Sequence, residues 1–316
     1  GMSGGFEALA QHGGYIAGTN DDDVHIYICA MQLKQRLGLK AVRTKFKVLS
    51  TLSKTKAAAA AFELFCTPQI RVVKEPTGIF LKAERLHFKF LGKSIQGFCW
   101  PGGAKKVLLL HGFESTIINF EGFVQPLLNA GFTVMGFDAP AHGHSTGTQT
   151  NVLEYIQFIE HIQKTYGPVD SFIAHSLGGL SVSLYLDGLA DVHQKKLVLI
   201  APATETSTAI NHYFHFLRLS DAVRPSFEQI IVERSGHPIS WFSITRVLRS
   251  KKINTLWCHD KGDEMTPLRD VQPLMAENPP HVQFYITEGL GHRRIYRSTD
   301  VVRRAVQFLG SAHAGF

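Results

Sequence analysis

One serine in this chain stands where a strand pattern meets a helix pattern. The apolar run Phe172–Ala174 leads into Ser176, and Gly178 and Gly179 follow before a helical pattern begins. A serine on such a sharp turn is held in a strained backbone conformation that exposes its hydroxyl, and small residues two positions to either side permit the turn. Ala174 and Gly178 are those small residues here, with alanine in place of the usual first glycine. The turn therefore predicts that Ser176 is a nucleophile.

Three other motifs also follow apolar runs of the strand type. They are His111-Gly112-Phe113 after Val107–Leu110, Asp138–Ser145 after Thr133–Phe137, and a late pair formed by Asp263 in Asp-Glu-Met-Thr-Pro and His292 in Gly-Leu-Gly-His. Each motif alone is a weak signal. Together with the serine turn, in the chain order serine, acid, histidine, they resemble the α/β-hydrolase superfamily over about residues 85–310.

The resemblance assigns the base and the acid that a serine nucleophile requires. An alcohol attacks a carbonyl poorly at neutral pH unless a neighbouring base takes its proton. His292 matches the catalytic histidine of the family by position, between a Gly-Leu-Gly turn and the last helix. A carboxylate must hold the imidazole in one tautomer and stabilise its positive charge. Asp263 matches the family's spacing to Pro267, and Asp260, which follows the same strand, stays the alternative.

The resemblance also assigns two backbone donors to the oxyanion that forms when the serine attacks. These donors are the N–H groups of Phe113, in the first motif, and of Leu177, directly after the nucleophile. Leu177 begins a helix, whose amino-terminal dipole favours an anion. The neighbouring His111 and His175 are expected to brace loops. Glu114 is expected to be a solvated loop residue, and a side chain that reaches the pocket is the alternative.

The elements that must position these residues follow from the pattern of apolar runs. Leu86–Phe90 and Ile95–Trp100, joined at Gly92-Lys93, predict a β-hairpin. The further predicted strands alternate with helical patterns and are Val107–Leu110, Thr133–Phe137, Phe172–Ala174, Leu197–Ile200, Ile253–Cys258 and Val282–Ile286. This alternation predicts an α/β fold of the α/β-hydrolase type, with a mainly parallel sheet that has an antiparallel start and helices on both faces. The motifs then lie at the carboxyl ends of strands, where sites form in such sheets.

Two regions outside this alternation predict a division into domains. Residues 1–84 are an N-terminal extension, partly helical and basic, and residues 85–316 are the α/β-hydrolase domain. Within that domain, residues 203–249 are helical and aromatic-rich, at the position where the family inserts a lid after its sixth strand. The insertion point predicts that some of these aromatic side chains contact a substrate, and packing among themselves is the alternative.

Positive charge is concentrated in the N-terminal extension. The net charge is +7, and residues 24–62 contain eight basic residues and no acidic one. These basic residues are Lys34, Arg36, Lys40, Arg43, Lys45, Lys47, Lys54 and Lys56. We expect the helices here to pack on the core with their lysines in water, and contact with an anionic membrane surface or a partner is the alternative. No nucleic-acid partner is expected, because the extension has no recognisable binding motif.

The motifs predict a serine hydrolase that cleaves an ester, a thioester or a similar acyl substrate of apolar character through an acyl-Ser176 intermediate. No metal and no organic cofactor are expected, since the glycine-rich phosphate signatures are missing. A peptidase, a carbon–carbon bond hydrolase and an acyltransferase stay open. The alternative from another class is a catalytically silent protein that uses the same fold to bind a ligand or a partner.

The composition favours a cytoplasmic location. No apolar run reaches the roughly 20 residues that cross a bilayer, and the short stretch Val24–Met31 follows Asp21, Asp22 and Asp23, where a signal peptide carries positive charge. Four widely spaced cysteines fit reduced thiols. The sequence leaves the oligomeric state open.

Overall fold

The computed structural model describes residues 38–311. Contacts between Cα atoms divide this part of the chain into two compact units. The first unit contains residues 38–62 and 211–230, and the second contains residues 63–210 and 231–311. The predicted domain boundary at residue 84 coincides with none of these junctions, and the division into an extension and a hydrolase domain stays a prediction. The basic residues Lys34 and Arg36 lie outside the described residues.

The second unit is built on an eight-stranded mixed sheet. Its strands are β1 Glu84–Phe90, β2 Lys93–Trp100, β3 Lys105–Leu110, β4 Phe132–Phe137, β5 Ser171–His175, β6 Lys196–Ile200, β7 Asn254–Asp260 and β8 Val282–Thr287. Their order across the sheet is β1-β2-β4-β3-β5-β6-β7-β8. The pairs β1–β2 and β2–β4 are antiparallel, and all other neighbours are parallel. The predicted fold, mainly parallel with an antiparallel start, is confirmed.

Helices cover both faces of this sheet. The helices of the described chain are α1 (residues 38–52), α2 Lys54–Phe65, α3 Glu121–Asn129, α4 Val152–Tyr166, α5 Leu177–Asp187, α6 Thr206–Leu217, α7 Arg224–Ser235, α8 Ile244–Ser250, α9 Gln272–Glu277, α10 Gly291–Arg294 and α11 Thr299–Gly310. On one face, Val107 shares a core with Phe123 of α3 and Val301 of α11. On the other, the ring of Phe172 lies 6.3 Å from that of Tyr185 in α5. Because successive side chains point to opposite faces, strands buried on both sides are continuous apolar runs.

The parallel strands place the sequence motifs at one edge of the sheet. The loops after β3, β4, β5, β7 and β8 carry His111-Gly112-Phe113, Asp138–Ser145, Ser176, Asp263 and His292 respectively. Parallel strands end at the same edge, so residues that are far apart in sequence can meet there.

The last helix, which the sequence predicts directly after His292, is interrupted. The short helix α10 continues into a single 3₁₀ turn, Ile295–Arg297, and α11 begins only at Thr299. Ser298 between them has an extended backbone, with φ −68° and ψ 126°. Ile295 and Tyr296 are buried, so the turn that they occupy contributes to the core although it is not part of a continuous helix.

The first unit packs its two stretches of chain against each other. The ring of Phe62 lies 5.7 Å from that of Phe227, and the Arg43 guanidinium donates a hydrogen bond of 2.6 Å to the carbonyl oxygen of Phe216. Aromatic residues of the predicted lid therefore pack within this unit. Contact between any of them and a substrate stays a prediction.

The lysines of α1 have the exposure that the sequence predicts. Lys40, Lys45 and Lys47 are exposed, and Phe46 is buried. Contact with an anionic membrane surface stays an untested alternative. Among residues 38–311, no helix combines the length and the apolar character needed to cross a bilayer.

Candidate active site

Ser176 lies on the sharp turn between β5 and α5, with φ 52° and ψ −121°. A positive φ is strained for a serine, and this strain is typical of a turn that holds a nucleophile above the end of a sheet. The turn packs closely, since a Cβ added to Gly178 would lie 2.7 Å from the carbonyl oxygen of Leu110. Ala174 is fully buried, and the turn forms with alanine at this position. Ser176 itself is half-buried.

Three predicted side chains from different loops meet at this turn. The Nε2 atom of His292 lies 3.2 Å from the Oγ atom of Ser176, and Nδ1 of the same ring lies 2.8 Å from Oδ2 of Asp263. Because Nδ1–H donates to the carboxylate, Nε2 carries the lone pair and accepts a hydrogen bond from the serine hydroxyl. The structure thus brings Ser176, Asp263 and His292 together in a hydrogen-bonded chain.

The Asp263 carboxylate is buried and has several donors. Its side chain accepts hydrogen bonds of 2.9 Å from the N–H groups of Met265 and Thr266 and one of 2.8 Å from the Thr266 hydroxyl. Burial alone would raise the pKa of the Asp263 carboxyl, but the hydrogen bond and positive charge of His292, together with the Thr266 donors, outweigh burial and lower this pKa. The carboxylate therefore stays ionised beside the imidazole.

Asp260, the other acid that the sequence left open, has a different position. Its Oδ2 accepts hydrogen bonds from the Thr287 hydroxyl at 2.7 Å and the Leu290 N–H at 3.0 Å. Its Oδ1 accepts one from the Gly262 N–H at 3.0 Å. Thr287 ends β8, and Leu290 and Gly262 lie in the loops that follow β8 and β7. Asp260 therefore supports the backbone that leads to His292, and its hydrogen bonds go to these groups and not to the imidazole.

The segment that contains Phe113 lies directly against the serine. A Cβ added to Gly112 would lie 2.7 Å from Cβ of Ser176 and 3.1 Å from Nδ1 of His175, so this approach requires glycine. The N–H groups of Phe113 and Leu177 donate no hydrogen bond to another residue of the described chain. At Leu177 this is the ordinary state of the first residue of a helix. Both groups can donate to an acceptor from outside the chain.

The two histidines beside the site brace loops, as predicted. Nδ1–H of His111 donates to the carbonyl oxygen of Gly112 at 2.7 Å, and Nε2 accepts a hydrogen bond of 2.9 Å from the N–H of Ala139. Nε2–H of His175 donates to the carbonyl oxygen of His292 at 2.9 Å. Burial lowers the pKa of His111 to about 4 and that of His175 to about 3. Both rings are therefore neutral at physiological pH.

The prediction that Glu114 is a solvated loop residue is wrong. The residue is half-buried, and its Oε1 accepts hydrogen bonds from the N–H groups of Gln69 at 2.7 Å and Ile70 at 3.2 Å. Its own N–H donates to Nε2 of His142 at 3.0 Å. Gln69 lies 45 residues earlier in the chain, so no local pattern reveals the pairing.

The sequence of this region matches a known protein family. A family model described as "Serine aminopeptidase, S33" matches residues 103–262, just over half of the chain. The chain belongs to this family of α/β hydrolases. The match includes Phe113, Ser176 and Leu177 but ends before Asp263 and His292. The positions of the acid and the base in this hydrolase therefore rest on the structure.

Similar proteins include named esterases. A curated Mycoplasma genitalium protein, "Putative esterase/lipase 2", is 29% identical over 117 residues, which cover 35% of this chain and 43% of that protein. The chain thus spans less than half of the length of this relative. An esterase structure from Pyrococcus furiosus is 20% identical with a TM-score of 0.58, covering 79% of this chain and 99% of that one. The mouse "Alpha/beta hydrolase domain-containing protein 10" is 14% identical with a TM-score of 0.52, covering 72% and 97%. Identities this low show a shared fold.

Two residues that support the acid of this hydrolase are not indicated by the sequence motifs. The Thr266 hydroxyl lies 3.1 Å from Nδ1 of His292 while it donates to Asp263. Buried His259 lies 3.8 Å from the Asp263 carboxylate, and its Nε2–H donates to the carbonyl oxygen of Thr266 at 2.6 Å. Burial lowers the pKa of His259. The only available signal was that Thr266 lies in the same motif as Asp263.

The sequence predicts no metal site. Within residues 38–311, no group of three or more His, Cys, Asp or Glu side chains is arranged to hold a metal ion.

Proposed function

We propose that this α/β hydrolase is a serine hydrolase that cleaves a carboxylic ester, a thioester or a similar acyl substrate through an acyl-Ser176 intermediate. The observation that carries the proposal is the position of His292, 3.2 Å from the Ser176 hydroxyl on one side and 2.8 Å from the Asp263 carboxylate on the other. The esterase names of the Mycoplasma and Pyrococcus proteins support the same class of substrate.

In the first half of the reaction, the Ser176 oxygen attacks the acyl carbon of the substrate. His292 Nε2 takes the hydroxyl proton as the bond forms, because an unassisted alcohol is a poor nucleophile at neutral pH. Asp263 keeps the ring in the tautomer that accepts this proton and stabilises the resulting imidazolium. The imidazolium then gives the proton to the leaving group, and the acyl group stays on the serine.

In the second half, water replaces the leaving group. His292 removes a proton from the water as it attacks the acyl carbon, and then returns the proton to the Ser176 oxygen. Both halves pass through a tetrahedral intermediate with a negative oxygen. We assign the N–H groups of Phe113 and Leu177 to this oxyanion, and one such donor is typically worth about 3 to 4 kcal/mol.

A fluorophosphonate probe tests the nucleophile. The wild-type protein is expected to react covalently with the probe and thereby lose its ester hydrolysis. A folded Ser176→Ala variant is expected neither to react with the probe nor to hydrolyse the ester. Folded wild-type protein that is not labelled would overturn the proposal and would favour the alternative of a catalytically silent binding protein.

A substrate panel tests the acyl class. We propose an apolar acyl group, in view of the aromatic residues of the predicted lid, and p-nitrophenyl esters of increasing chain length are expected to give an optimum beyond acetate. Aminoacyl p-nitroanilides belong in the same panel, because the family description names an aminopeptidase. Faster turnover of the anilides would replace the ester assignment with a peptidase.

We also propose that the protein acts in the cytoplasm and that its reaction uses no cofactor.

A further inference from the structure

A segment that precedes the sheet is attached to the loops of the candidate site. Residues 66–77, here called the strap, connect α2 to the sheet without forming a regular helix or strand. The strap lies outside residues 103–262, the part matched by the family model. Its hydrogen bonds to the loops that follow β3 and β4 are therefore a feature of this chain that membership of the family does not imply.

The strap is linked to the loop of Phe113 through Glu114. One carboxylate oxygen of Glu114 accepts hydrogen bonds from two successive backbone N–H groups of the strap, those of Gln69 and Ile70, at 2.7 and 3.2 Å. Hydrogen bonds to an ionised acceptor are stronger than bonds between neutral groups. The pair of bonds therefore ties the Glu114 side chain to the backbone of the strap.

Other contacts hold the strap on the neighbouring loops. The Arg71 guanidinium donates to the carbonyl oxygens of Gly143 and Ser145, in the loop after β4. The Lys74 ammonium donates to Oδ1 of Asn119 at 2.7 Å. The strap is thus held in position by contacts that do not involve Glu114. It can therefore fix the position of the Glu114 carboxylate that it binds.

Glu114 directly follows Phe113, one of the two proposed oxyanion donors. Its φ of 52° is strained for a glutamate, and such a conformation persists only where the surroundings impose it. Its N–H is held by Nε2 of His142 at 3.0 Å, and its carboxylate is held by the strap. These bonds fix the backbone on the carboxyl side of Phe113.

We propose that Glu114 is a positioning residue for the oxyanion hole, and that the strap sets the position of the Phe113 N–H through the Glu114 carboxylate. This inference rests on the proposed function, because it assigns the link to the stabilisation of a tetrahedral intermediate. It makes a part of the chain outside the family match necessary for full activity.

The test compares Glu114→Ala with Glu114→Gln in the full chain. Alanine removes the acceptor, and a shift of the Phe113 N–H is expected to lower kcat about 10-fold or more while KM changes by less than about 3-fold. Glutamine keeps a side-chain oxygen that can accept both N–H groups, so it is expected to retain most of the activity. The affinity for a phenylboronic acid, which forms a tetrahedral adduct with the serine, is expected to fall in parallel with kcat only for Glu114→Ala.

Glu75→Ala is the matched control, since it removes an exposed carboxylate from the same strap and is expected to leave kcat and boronate affinity unchanged. Thermal unfolding shows that the variants are compared as folded proteins. Three results would overturn the positioning role. They are an unchanged kcat in Glu114→Ala, an equal fall of kcat in both Glu114 variants, and a fall of kcat with a changed KM but an unchanged boronate affinity. A failure of the proposed function is distinguishable from a failure of the Glu114 positioning role. In that case the wild-type protein would not react with the fluorophosphonate.

Discussion

At His292 the two ring nitrogens face different partners, with Asp263 2.8 Å from Nδ1 and Ser176 3.2 Å from Nε2. Asp260, three residues before Asp263, instead accepts hydrogen bonds from Thr287 and Leu290 in the loop that leads to His292. The Asp263 carboxylate therefore acts on the imidazole through its charge. The Asp260 carboxylate acts through the backbone that carries the imidazole.

This difference predicts unequal effects of removing the two charges. Asp263→Asn is expected to lower kcat for a p-nitrophenyl ester by about 10³- to 10⁴-fold, because an amide favours the wrong imidazole tautomer and does not stabilise the imidazolium. Asp260→Asn keeps an oxygen acceptor and is expected to lower kcat much less while it lowers the melting temperature. Steady-state kinetics and thermal unfolding of both variants check this. Equal losses of kcat would show that the roles are misassigned.

The Thr266 hydroxyl gives a second prediction for single residues. Thr266→Val keeps the shape of the side chain and removes the O–H donor to Asp263. A single hydrogen bond to a charged group contributes about 1.5 to 3 kcal/mol, and if part of it acts in the transition state, kcat is expected to fall about 10-fold. Thr266→Ser restores the donor and is expected to recover most of the rate. A serine variant as slow as the valine variant would assign the loss to packing.

The residues of the site differ in how far they could be predicted. Ser176 is recognisable from its immediate neighbours, because the strained turn itself requires small residues at fixed spacing. Thr266 donates to Asp263 of its own motif, but nothing in the motif indicates that the same hydroxyl lies beside His292. Glu114 accepts hydrogen bonds from Gln69 and Ile70, and its own surroundings in the sequence carry no trace of these distant partners. Long-range contacts of this kind can be identified only once the fold is known.

Among the secondary-structure elements, the buried strands are predictable from the sequence, and the break before the last helix is not. The eight predicted strands are all observed, for example β7 over Asn254–Asp260 against a predicted Ile253–Cys258. Continuous apolar runs are a strong signal for these strands, because helices cover both faces of the sheet. Ile295 and Tyr296 have a spacing compatible with a helix, and the extended backbone of Ser298 that ends their turn has no glycine or proline to mark it.

The approach of the β3 loop to the serine turn gives a prediction for these elements. Gly112→Ala would place a Cβ 2.7 Å from Cβ of Ser176, closer than such atoms pack, so the loop that carries Phe113 must move. Displacement of a donor from the oxyanion is expected to lower kcat by about 10²-fold.

Gly122→Ala in α3 is the control, because the nearest atom to its Cβ lies at 4.0 Å. It is expected to keep full activity and to raise stability, since alanine favours a helix by about 1 kcal/mol over glycine. Normal kinetics in Gly112→Ala would contradict the proposed position of the oxyanion donors.

At the scale of the whole molecule, three buried neutral histidines link the loops of the site to the stability of the fold. His111, His142 and His175 are 0%, 2% and 5% exposed. Burial is the main cause that lowers their pKa values, to about 4, about 3 and about 3 respectively. Each ring uses a nitrogen as a hydrogen-bond partner of a loop. Protonation would therefore place a charge in the interior, where the carboxylates of Asp138, near His142, and of Asp263, near His175, offset the cost of burial only in part.

The stability of the protein is accordingly expected to fall as the pH falls below about 6.5. In the unfolded chain each histidine binds a proton near pH 6.5, whereas in the folded protein these three stay neutral down to about pH 4 or 3. The unfolded state binds more protons in this window, so each histidine removes up to about 1.4 kcal/mol of stability per pH unit. Urea unfolding between pH 8 and pH 5 measures the slope. His142→Gln is expected to reduce the slope by about one proton, and His193→Gln, at an exposed position, is expected to leave it unchanged. A slope that His142→Gln does not alter would show that His142 binds its proton equally well in the folded and unfolded states.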